Sequence, residues 1–507
     1  MSVSVWILGD QLISHHPALR KAEAAFRRED VNVLMIESRT SAERYPYHPK
    51  KLVLVFSAMR HYADALRSKG FQVDYRQAAD FFSAIEDHCR DYKPERLYTM
   101  AAVNKNGKAF QNKISEKLGF PVTILENSQF LSNRYNPFPD AKPGQFIKQE
   151  RFYRQMRTHF DLLMTSEGEP VGGQWNYDKQ NRQPLPEDIE LPGIPHFDPD
   201  PITQDVISFV QQNFDTVGEI EGFDLAVTQQ EAEKVAADFI QHRLALFGTY
   251  EDAMRQSEGV LFHSKLSPYI NLGLLDPLDL AQMAEQAYFE GKADLNSVEG
   301  FIRQVIGWRE YIGWQYQRLD PEIFEANVWG FDRKLPTFFW DGNTSMNCLS
   351  RVIKRVLRDG YTHHIERLMI LSNFCLLAEI NPKAVFKWFS GLLIDAYDWV
   401  MVPNVYGMGL YADGGHVSTK PYIASANYIH KMSNFCGDCQ FDHKRRVGEN
   451  ACPFNFLYWH FLLKHESALK ENYRMARMVY NLKYLDGDER LKVRQQAEAF
   501  LMFDPME

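Results

Sequence analysis

Three of the six cysteines lie close together near the end of the sequence. Cys436 and Cys439 form a CxxC pair, and Cys452 follows, directly before Pro453. Cysteines at this spacing can present their sulfurs to one metal centre, and a Cys-Pro pair is frequent at iron–sulfur ligands. The pattern therefore predicts metal ligands or free thiols rather than a disulfide framework.

Both a [4Fe–4S] cluster and a structural zinc ion need a fourth ligand. Cys348 is the best candidate because it starts a predicted helix in the same half of the chain, whereas Cys375 lies inside an apolar run and Cys89 is far away. The spacing alone does not select the metal, and unmetallated thiols also fit. A Cys3His zinc site is a further alternative, completed by one of the nearby histidines His430, His443 and His460.

The segment HSKLSPYINLGLLDP places hydroxyl groups at the start of a helix predicted to begin near Pro268. Ser264 and Ser267 flank Lys265 there. A helix start offers free backbone N–H groups, so this segment could bind a phosphate, although an ordinary N-cap also explains the serines.

Two later helical segments carry groups that could line a pocket. In EGFIRQVIGWREYIGW, Gln304 and Arg309 lie on either side of Trp308. This arrangement is typical of a pocket wall, but an amphipathic helix with solvated arginines also explains it. In YTHHIERLMI, His364 and Arg367 share one helix face, and a histidine there could exchange protons near neutral pH.

An apolar run, FSGLLIDAYDWVMV, contains Asp395. A carboxylate in such surroundings needs a cation or a hydrogen-bond donor, and Arg367 is its natural partner.

Short apolar runs alternate with amphipathic segments in the first quarter of the chain. The strand-like runs are Val3–Leu8, Val31–Ile36, Phe71–Tyr75, Arg96–Met100 and Pro121–Leu125. This alternation predicts a mostly parallel, Rossmann-like sheet covered on both faces, with any ligand outside the carboxyl ends of its strands. Gly9 and Asp10 lie at such an end, and the absence of a GxGxxG motif there disfavours a conventional NAD domain.

Residues 127–224 are rich in Pro, Gly, Asn and Asp and predict a long connection with one helix near Lys148–Met164. From Thr228 onward the hydrophobic period is helical almost throughout. We therefore predict an α/β domain over 1–130, a linker over 131–227 and an all-α domain over 228–507.

The formal net charge of −9 argues against a surface coated with positive charge for unspecific nucleic-acid binding, but it allows a local basic groove. No segment has the pattern of a signal peptide or the ~18 apolar residues of a membrane helix. We expect a soluble, cytoplasmic, monomeric protein that does not bind membranes.

Several linked motifs resemble the photolyase/cryptochrome superfamily, and within it the bacterial iron–sulfur (6-4) photolyases. They are LFHSKLSPYINLGLL, FIRQVIGWREY, YTHHIERLM, DAYDWVMVPN, the four cysteines and, near the N-terminus, LGDQL and KKLVLVFSAMRHYADAL. The resemblance covers essentially the whole chain. It implies non-covalent FAD in the helical domain, a [4Fe–4S] cluster on the four cysteines and a 6,7-dimethyl-8-ribityllumazine antenna in the N-terminal domain.

The resemblance also assigns individual residues. Those implied to contact FAD are Tyr250, Ser264, Leu266, Ser267, Arg309, Arg367, Asp395 and Asn404. Those implied to contact the antenna are Gly9, Asp10 and Glu37. The cluster ligands would be Cys348, Cys436, Cys439 and Cys452.

The implied substrate is UV-damaged DNA that carries a (6-4) pyrimidine–pyrimidone photoproduct. In similar enzymes the second histidine of a pair like His363 and His364 donates a proton to the lesion, but Leu368 stands where another histidine would follow. Gln304 replaces the glutamate typical of enzymes that act on cyclobutane dimers. The usual tryptophan triad is not evident, so Trp388 and Trp340 are our candidates for electron transfer.

We therefore expect light-dependent repair in which excited reduced FAD passes an electron to the lesion and His364 supplies a proton. The alternatives are a cryptochrome-like blue-light sensor, a cyclobutane-dimer photolyase, or a metal-containing nucleic-acid-binding module without catalysis. Asp178 is a candidate ligand for a Mg²⁺ ion. Candidate phosphate contacts are Lys148, Arg151, Arg154, Arg157, Lys444, Arg445 and Arg446.

Overall fold

The computed structural model describes residues 2–143, 145–319 and 321–502. A five-stranded parallel sheet occupies the N-terminal region, in the order β3-β2-β1-β4-β5. Its strands are β1 (Val3–Ile7), β2 (Val31–Ser38), β3 (Gln72–Ala78), β4 (Leu97–Met100) and β5 (Val122–Leu125). All five predicted strands are confirmed, with shifts of one to three residues at their ends.

The central strands β1, β2 and β4 are buried along their whole length, as expected where helices cover both faces of a parallel sheet. In β1 and β2, Val3 pairs with Val31 and Ile7 with Met35. The N-terminal α-helices are Pro17–Glu23, Arg39–Ala42, Pro49–Ser68, Phe81–Tyr92 and Lys105–Leu118, with a short 3-10 turn at Arg28–Asp30.

The connection to the helical region is more ordered than the sequence suggested. It contains the α-helices Leu131–Arg134, Gln149–His159 and Pro201–Asn213 and a 3-10 turn at Val171–Gly173. The prediction of a single helix was wrong because it overlooked the Pro201–Asn213 helix, which Asp200 caps by accepting a hydrogen bond of 3.0 Å from the Thr203 N–H. Phe209 of this helix packs against Phe56, with ring centroids 6.3 Å apart, and so holds the connection on the N-terminal domain.

The rest of the described chain is helical, as predicted. Its α-helices are Gln229–His242, Leu244–Phe247, Ser267–Leu272, Pro277–Phe289, Leu295–Ile302, Glu310–Arg318, Asn347–Asp359, His364–Glu366, Asn373–Leu377, Pro382–Leu392, Asp398–Val402, Ala426–Met432, Pro453–Lys464, Glu466–Glu471, Ala476–Tyr480 and Gly487–Met502. Its 3-10 segments are Pro321–Glu325, Thr337–Trp340 and Asn481–Tyr484. Within the described ranges, no helix is both long and apolar enough to cross a membrane.

Three π-helical segments interrupt these helices, at Arg303–Arg309, Arg367–Ser372 and Pro403–Gly409. A π-turn inserts an extra residue into the helix and rotates the side chains that follow, and such turns often mark functional sites. The sequence analysis did not foresee them, because a π-turn and an α-turn show almost the same hydrophobic period.

Candidate active site and cofactor sites

Arg367 and Asp395 form a two-pronged ion pair inside the helical domain. The guanidinium Nη1 and Nη2 atoms lie 3.0 and 3.1 Å from the two carboxylate oxygens. Ser267, the first residue of the Ser267–Leu272 helix, donates its hydroxyl to the same carboxylate at 2.6 Å. The structure thus brings together three of the residues that the resemblance assigned to one site.

The charge of Asp395 is fixed by these partners. Burial disfavours its charged form, but the Arg367 guanidinium and the Ser267 hydroxyl outweigh burial and hold the pKa of Asp395 below its ordinary value. The backbone oxygen of Asp395 also accepts a hydrogen bond of 2.9 Å from the Asn271 amide. The carboxylate is therefore a rigid anchor.

Three histidines lie next to each other beside this ion pair. The rings of His263 and His363 are stacked with centroids 4.2 Å apart, and the His364 ring lies edge-on to His263 at 5.3 Å. His363 is buried, and neither of its ring nitrogens has a hydrogen-bond partner within the described structure. Burial, reinforced by the neighbouring histidines, lowers its pKa well below the ordinary value, so the ring is neutral.

This histidine group does not suit a metal ion, although one ligand atom from each ring lies within 4.8 Å of the others. Stacked rings do not direct their nitrogens at one point between them. Both nitrogens of His263 also lie 2.9 Å from backbone oxygens, those of Val260 and Glu251. The group is better suited to positioning protons.

His364 is the accessible member of the group. It has the accessible surface of an exposed residue, yet protein atoms surround it closely enough that desolvation, followed by repulsion from Arg367, lowers its pKa to about 4. The two observations agree if the ring lines a recess open to solvent. A substrate in that recess would contact His364 and not His363.

Each π-helical segment carries a residue that the resemblance assigned to the flavin or, for Gln304, to the choice of lesion. Gln304 lies in the first segment, half-buried and without a hydrogen bond among the described residues; Arg367 begins the second. Asn404 lies in the third, where its amide donates to the Val400 oxygen at 2.9 Å. The last two segments pack against each other.

The segment before the Ser267–Leu272 helix has an unusual backbone. Leu261 and Lys265 have φ of 53° and 55°, which side chains other than glycine rarely adopt. Leu266 is buried, and Ser264 is half-buried with its hydroxyl accepting from the Leu266 N–H at 3.4 Å. Tyr250 stacks on Phe262 with centroids 5.6 Å apart.

Arg309 does not join these residues through any contact found in the described structure. It is paired with Glu310, and its guanidinium lies 4.5 Å from the ring of Phe130 and 5.3 Å from that of Trp399. These contacts place it at the boundary between the helical domain and the segment that follows β5.

A cavity of about 830 Å³ lies between the N-terminal and helical domains. Gly9 and Asp10 line it from the carboxyl end of β1, and Tyr397 and Trp399 line it from the helical domain. Burial raises the pKa of Asp10 to about 6. A Cβ at Gly9 would lie 2.6 Å from Met59 Sδ, so glycine allows the Met59 side chain to pack closely against the end of β1.

Glu37 lies elsewhere. Its neighbours Ile36 and Ser38 line the cavity, but Glu37 does not, because adjacent residues of a strand point to opposite faces. Its carboxylate accepts hydrogen bonds from Arg60 at 2.9 Å and from Tyr75 at 2.6 Å. Glu37 lies at the predicted strand end, and its assignment to the antenna stays a prediction.

The four predicted cysteine ligands line one small cavity, together with the rings of Phe435 and Phe454. Burial raises the pKa of Cys348 well above its ordinary value, and repulsion from the other three thiols adds to this. No three of these sulfurs lie within 4.8 Å of each other. Four thiolates on one tetrahedral zinc would be about 3.8 Å apart, given Zn–S bonds of about 2.3 Å. The sulfurs are therefore not already arranged as they would be around one tetrahedral zinc ion.

Of the histidines considered as zinc ligands, His443 lines this cavity. The ring of His430 stacks on the ring of His443, with centroids 3.7 Å apart. His460 lies on the Pro453–Lys464 helix and does not line the cavity.

Trp388 is buried, and its indole N–H donates to the Phe339 oxygen at 2.9 Å. The rings of Trp388 and Phe339 lie 5.3 Å apart, and the next residue, Trp340, is 40% exposed. The two candidate tryptophans are therefore near each other, one in the core and one at the surface.

A group of buried ionisable side chains behind the histidines was not predicted from the sequence. Burial raises the pKa of Glu251 to about 8, and its Oε1 atom lies 4.0 Å from the Arg303 guanidinium. Arg303 also pairs with Asp178 and Glu299. Only the folded chain brings these distant acids together, so no local sequence pattern could have revealed them.

Comparisons with known proteins show the family to which the chain belongs. A (6-4) photolyase from Agrobacterium fabrum is 43% identical over 509 aligned residues, which cover 99% of each protein. The chain belongs to the photolyase/cryptochrome superfamily. A family model described as deoxyribodipyrimidine photo-lyase-related protein matches residues 5–225.

Two solved structures have the photolyase fold seen here. A class III photolyase from Agrobacterium tumefaciens matches with a TM-score of 0.61 at 15% identity, covering 99% of this chain and 97% of that one. A cryptochrome from Synechocystis matches with a TM-score of 0.61 at 14% identity, covering 98% of both. Membership in the superfamily implies a flavin cofactor, and the relationship to photolyases implies a DNA substrate.

Proposed function

We propose that this photolyase repairs (6-4) photoproducts in UV-damaged DNA under blue light. The observation that carries the proposal is the accessible His364 ring beside the Arg367–Asp395 ion pair. The full-length relationship to a protein named (6-4) photolyase supports this choice of lesion.

The flavin is proposed to be FAD, held by the helical domain. Ser264 and the backbone around Leu266 and Ser267 suit the phosphates, because this helix start offers a hydroxyl and N–H groups, whereas the Ser267 hydroxyl is donated to Asp395. Arg367 and Asp395 suit the isoalloxazine edge, with Asn404 on the neighbouring π-segment. Tyr250 is assigned to the ribityl and phosphate side, and Arg309 keeps only an indirect role. When bound and reduced, FAD supplies the electron after it absorbs light.

His364 is proposed to hold and deliver the proton. With a pKa of about 4 in the free protein, its ring is neutral at pH 7. Bound DNA brings negative phosphates beside the ring and raises its pKa, so protonation accompanies substrate binding. His363 supports the ring from within the core, and Gln304 offers a free amide to the extruded base.

The proposal includes two further cofactors. A ribityllumazine antenna is proposed for the 830 Å³ cavity, which Gly9 and Asp10 line and where Asp10 offers a carboxyl group. A [4Fe–4S] cluster is proposed for the four cysteines, which line one small cavity. Trp388 and Trp340 are proposed to carry electrons between the core and the surface. Arg303 already pairs with Asp178, so we do not extend the proposal to Mg²⁺ at that residue.

The test is repair of an oligonucleotide that contains one (6-4) photoproduct, under blue light and in the dark. We expect loss of the lesion only in the light. Repair of cyclobutane dimers alone would change the lesion assignment. Flavin photoreduction without any repair would instead support a light sensor.

A further inference from the structure

The basic residues singled out from the sequence are largely engaged within the protein. Arg157 is fully buried and donates to the backbone oxygens of Leu162 and Leu163 at 2.8 and 2.7 Å, so it cannot contact DNA. Arg446 pairs with Glu489 at 3.1 Å. Arg157 and Arg446 are therefore not the cations that a DNA-binding surface would use.

Arg182, Lys420 and Arg474 form such a surface, which we call the basic rim. Lys420 and Arg474 have no ion pair within the described residues, and Arg182 has only loose ones, at 3.8 Å to Asp178 and 3.9 Å to Asp252. Arg182 and Arg474 are exposed.

The three cations are held near each other although they are far apart in sequence. The Asn472 amide donates to the Thr419 oxygen at 3.0 Å, which fixes the segment of Arg474 beside that of Lys420. Partial burial, and then repulsion from Arg474 and Arg182, lowers the pKa of Lys420. Like charges kept together with only loose acidic partners favour an anionic ligand.

The basic rim is linked to the candidate active site by direct contacts. Arg182 contacts Asp178, whose other partner, Arg303, directly precedes Gln304. Arg182 also contacts Asp252, next to Glu251, whose backbone oxygen lies 2.9 Å from His263 in the histidine group. This chain of contacts connects the basic rim to the histidine group.

We propose that the basic rim binds the phosphodiester backbone of the damaged strand next to the extruded base. Beside Arg474, the ring of Tyr473 is 74% exposed and offers a face for a neighbouring sugar or base. This inference rests on the proposed function for the identity of the DNA. It assigns positioning residues that the reaction itself does not require.

The experiment measures binding of a lesion-containing duplex to the flavin-loaded protein between about 50 and about 200 mM salt. Each phosphate contact adds about 0.9 to the slope of log affinity against log salt. Adding salt over this range weakens DNA binding. In R182A/K420A/R474A, which loses three contacts, this loss of affinity should be about 40-fold smaller than in the unaltered protein. The matched control is R27A/R67A/R90A, which removes three exposed, locally paired arginines from the N-terminal domain.

We expect a shallower salt slope and weaker binding in the rim variant, with flavin absorption unchanged. A rim variant that matches the control in affinity and slope would overturn the inference. Weaker binding with an unchanged salt slope would also overturn it, because the three residues would then affect binding through the protein structure and not through phosphate contacts. A third outcome separates the two proposals. If the rim variant shows the expected shallower slope but the unaltered protein repairs nothing, the rim is supported and the repair function is rejected.

Discussion

The ring of His363 lies sealed in the core against His263, with centroids 4.2 Å apart, while the next residue, His364, is open to solvent. Adjacent residues of the same type thus have different environments. Both are neutral in the free protein because burial lowers their pKa values. Only His364 can meet a substrate, so the pair divides into a supporting ring and a reacting ring.

This division predicts different outcomes for two substitutions. His364→Gln should lower the repair rate at saturating DNA by about 10²–10³-fold, the usual contribution of a positioned acid. His363→Phe keeps a stacked ring and should cost less than about tenfold. Single-turnover repair under blue light measures both, with flavin photoreduction as the control for correct folding. Equal losses in the two variants would contradict the division.

The Arg367–Asp395 pair predicts a stability effect. Asp395→Asn leaves a largely buried guanidinium without its counter-charge, which should cost about 3 kcal/mol. Thermal unfolding with and without added FAD measures this loss. The double variant R367M/D395N removes both charges and should recover part of the stability. If the single variant is as stable as the unaltered protein, the pair is not the anchor described here.

Glu251 predicts a dependence of stability on pH. Its carboxyl has a folded-state pKa of about 8, above its ordinary value of 4.5, because burial disfavours the charge. The folded state therefore binds more protons between these pH values, and stability falls as pH rises from about 4.5 to about 8. This pH-dependent loss in the free energy of unfolding amounts to at most about 5 kcal/mol, and Glu251→Gln should remove it. Urea unfolding at pH 5 and pH 8 tests it: a stability difference between variant and unaltered protein that stays constant with pH would reject the shifted carboxyl.

The sequence predicted well what depends on local pattern. The five strands follow from short apolar runs, and the Arg367–Asp395 pair follows from a lone acid in an apolar segment. The Pro201–Asn213 helix could also have been predicted, since Asp200 and Pro201 are ordinary start signals. The π-segments, the face of Glu37 and the basic rim could not, because they depend on backbone geometry or on residues hundreds of positions apart.

The cysteine site gives the most direct test of a cofactor assignment. Cys348 is buried and faces the cavity shared with Cys436, Cys439 and Cys452. Cys348→Ser should remove a thiolate that a [4Fe–4S] cluster requires, so about four irons and the broad visible absorption tail should be lost together. Cys375→Ser is the matched control, since this thiol is equally buried in the same domain but does not line the cavity. Metal analysis of the anaerobically purified protein decides between iron and zinc. One zinc ion and no iron in the unaltered chain would show that the site is a zinc site and not an iron–sulfur cluster.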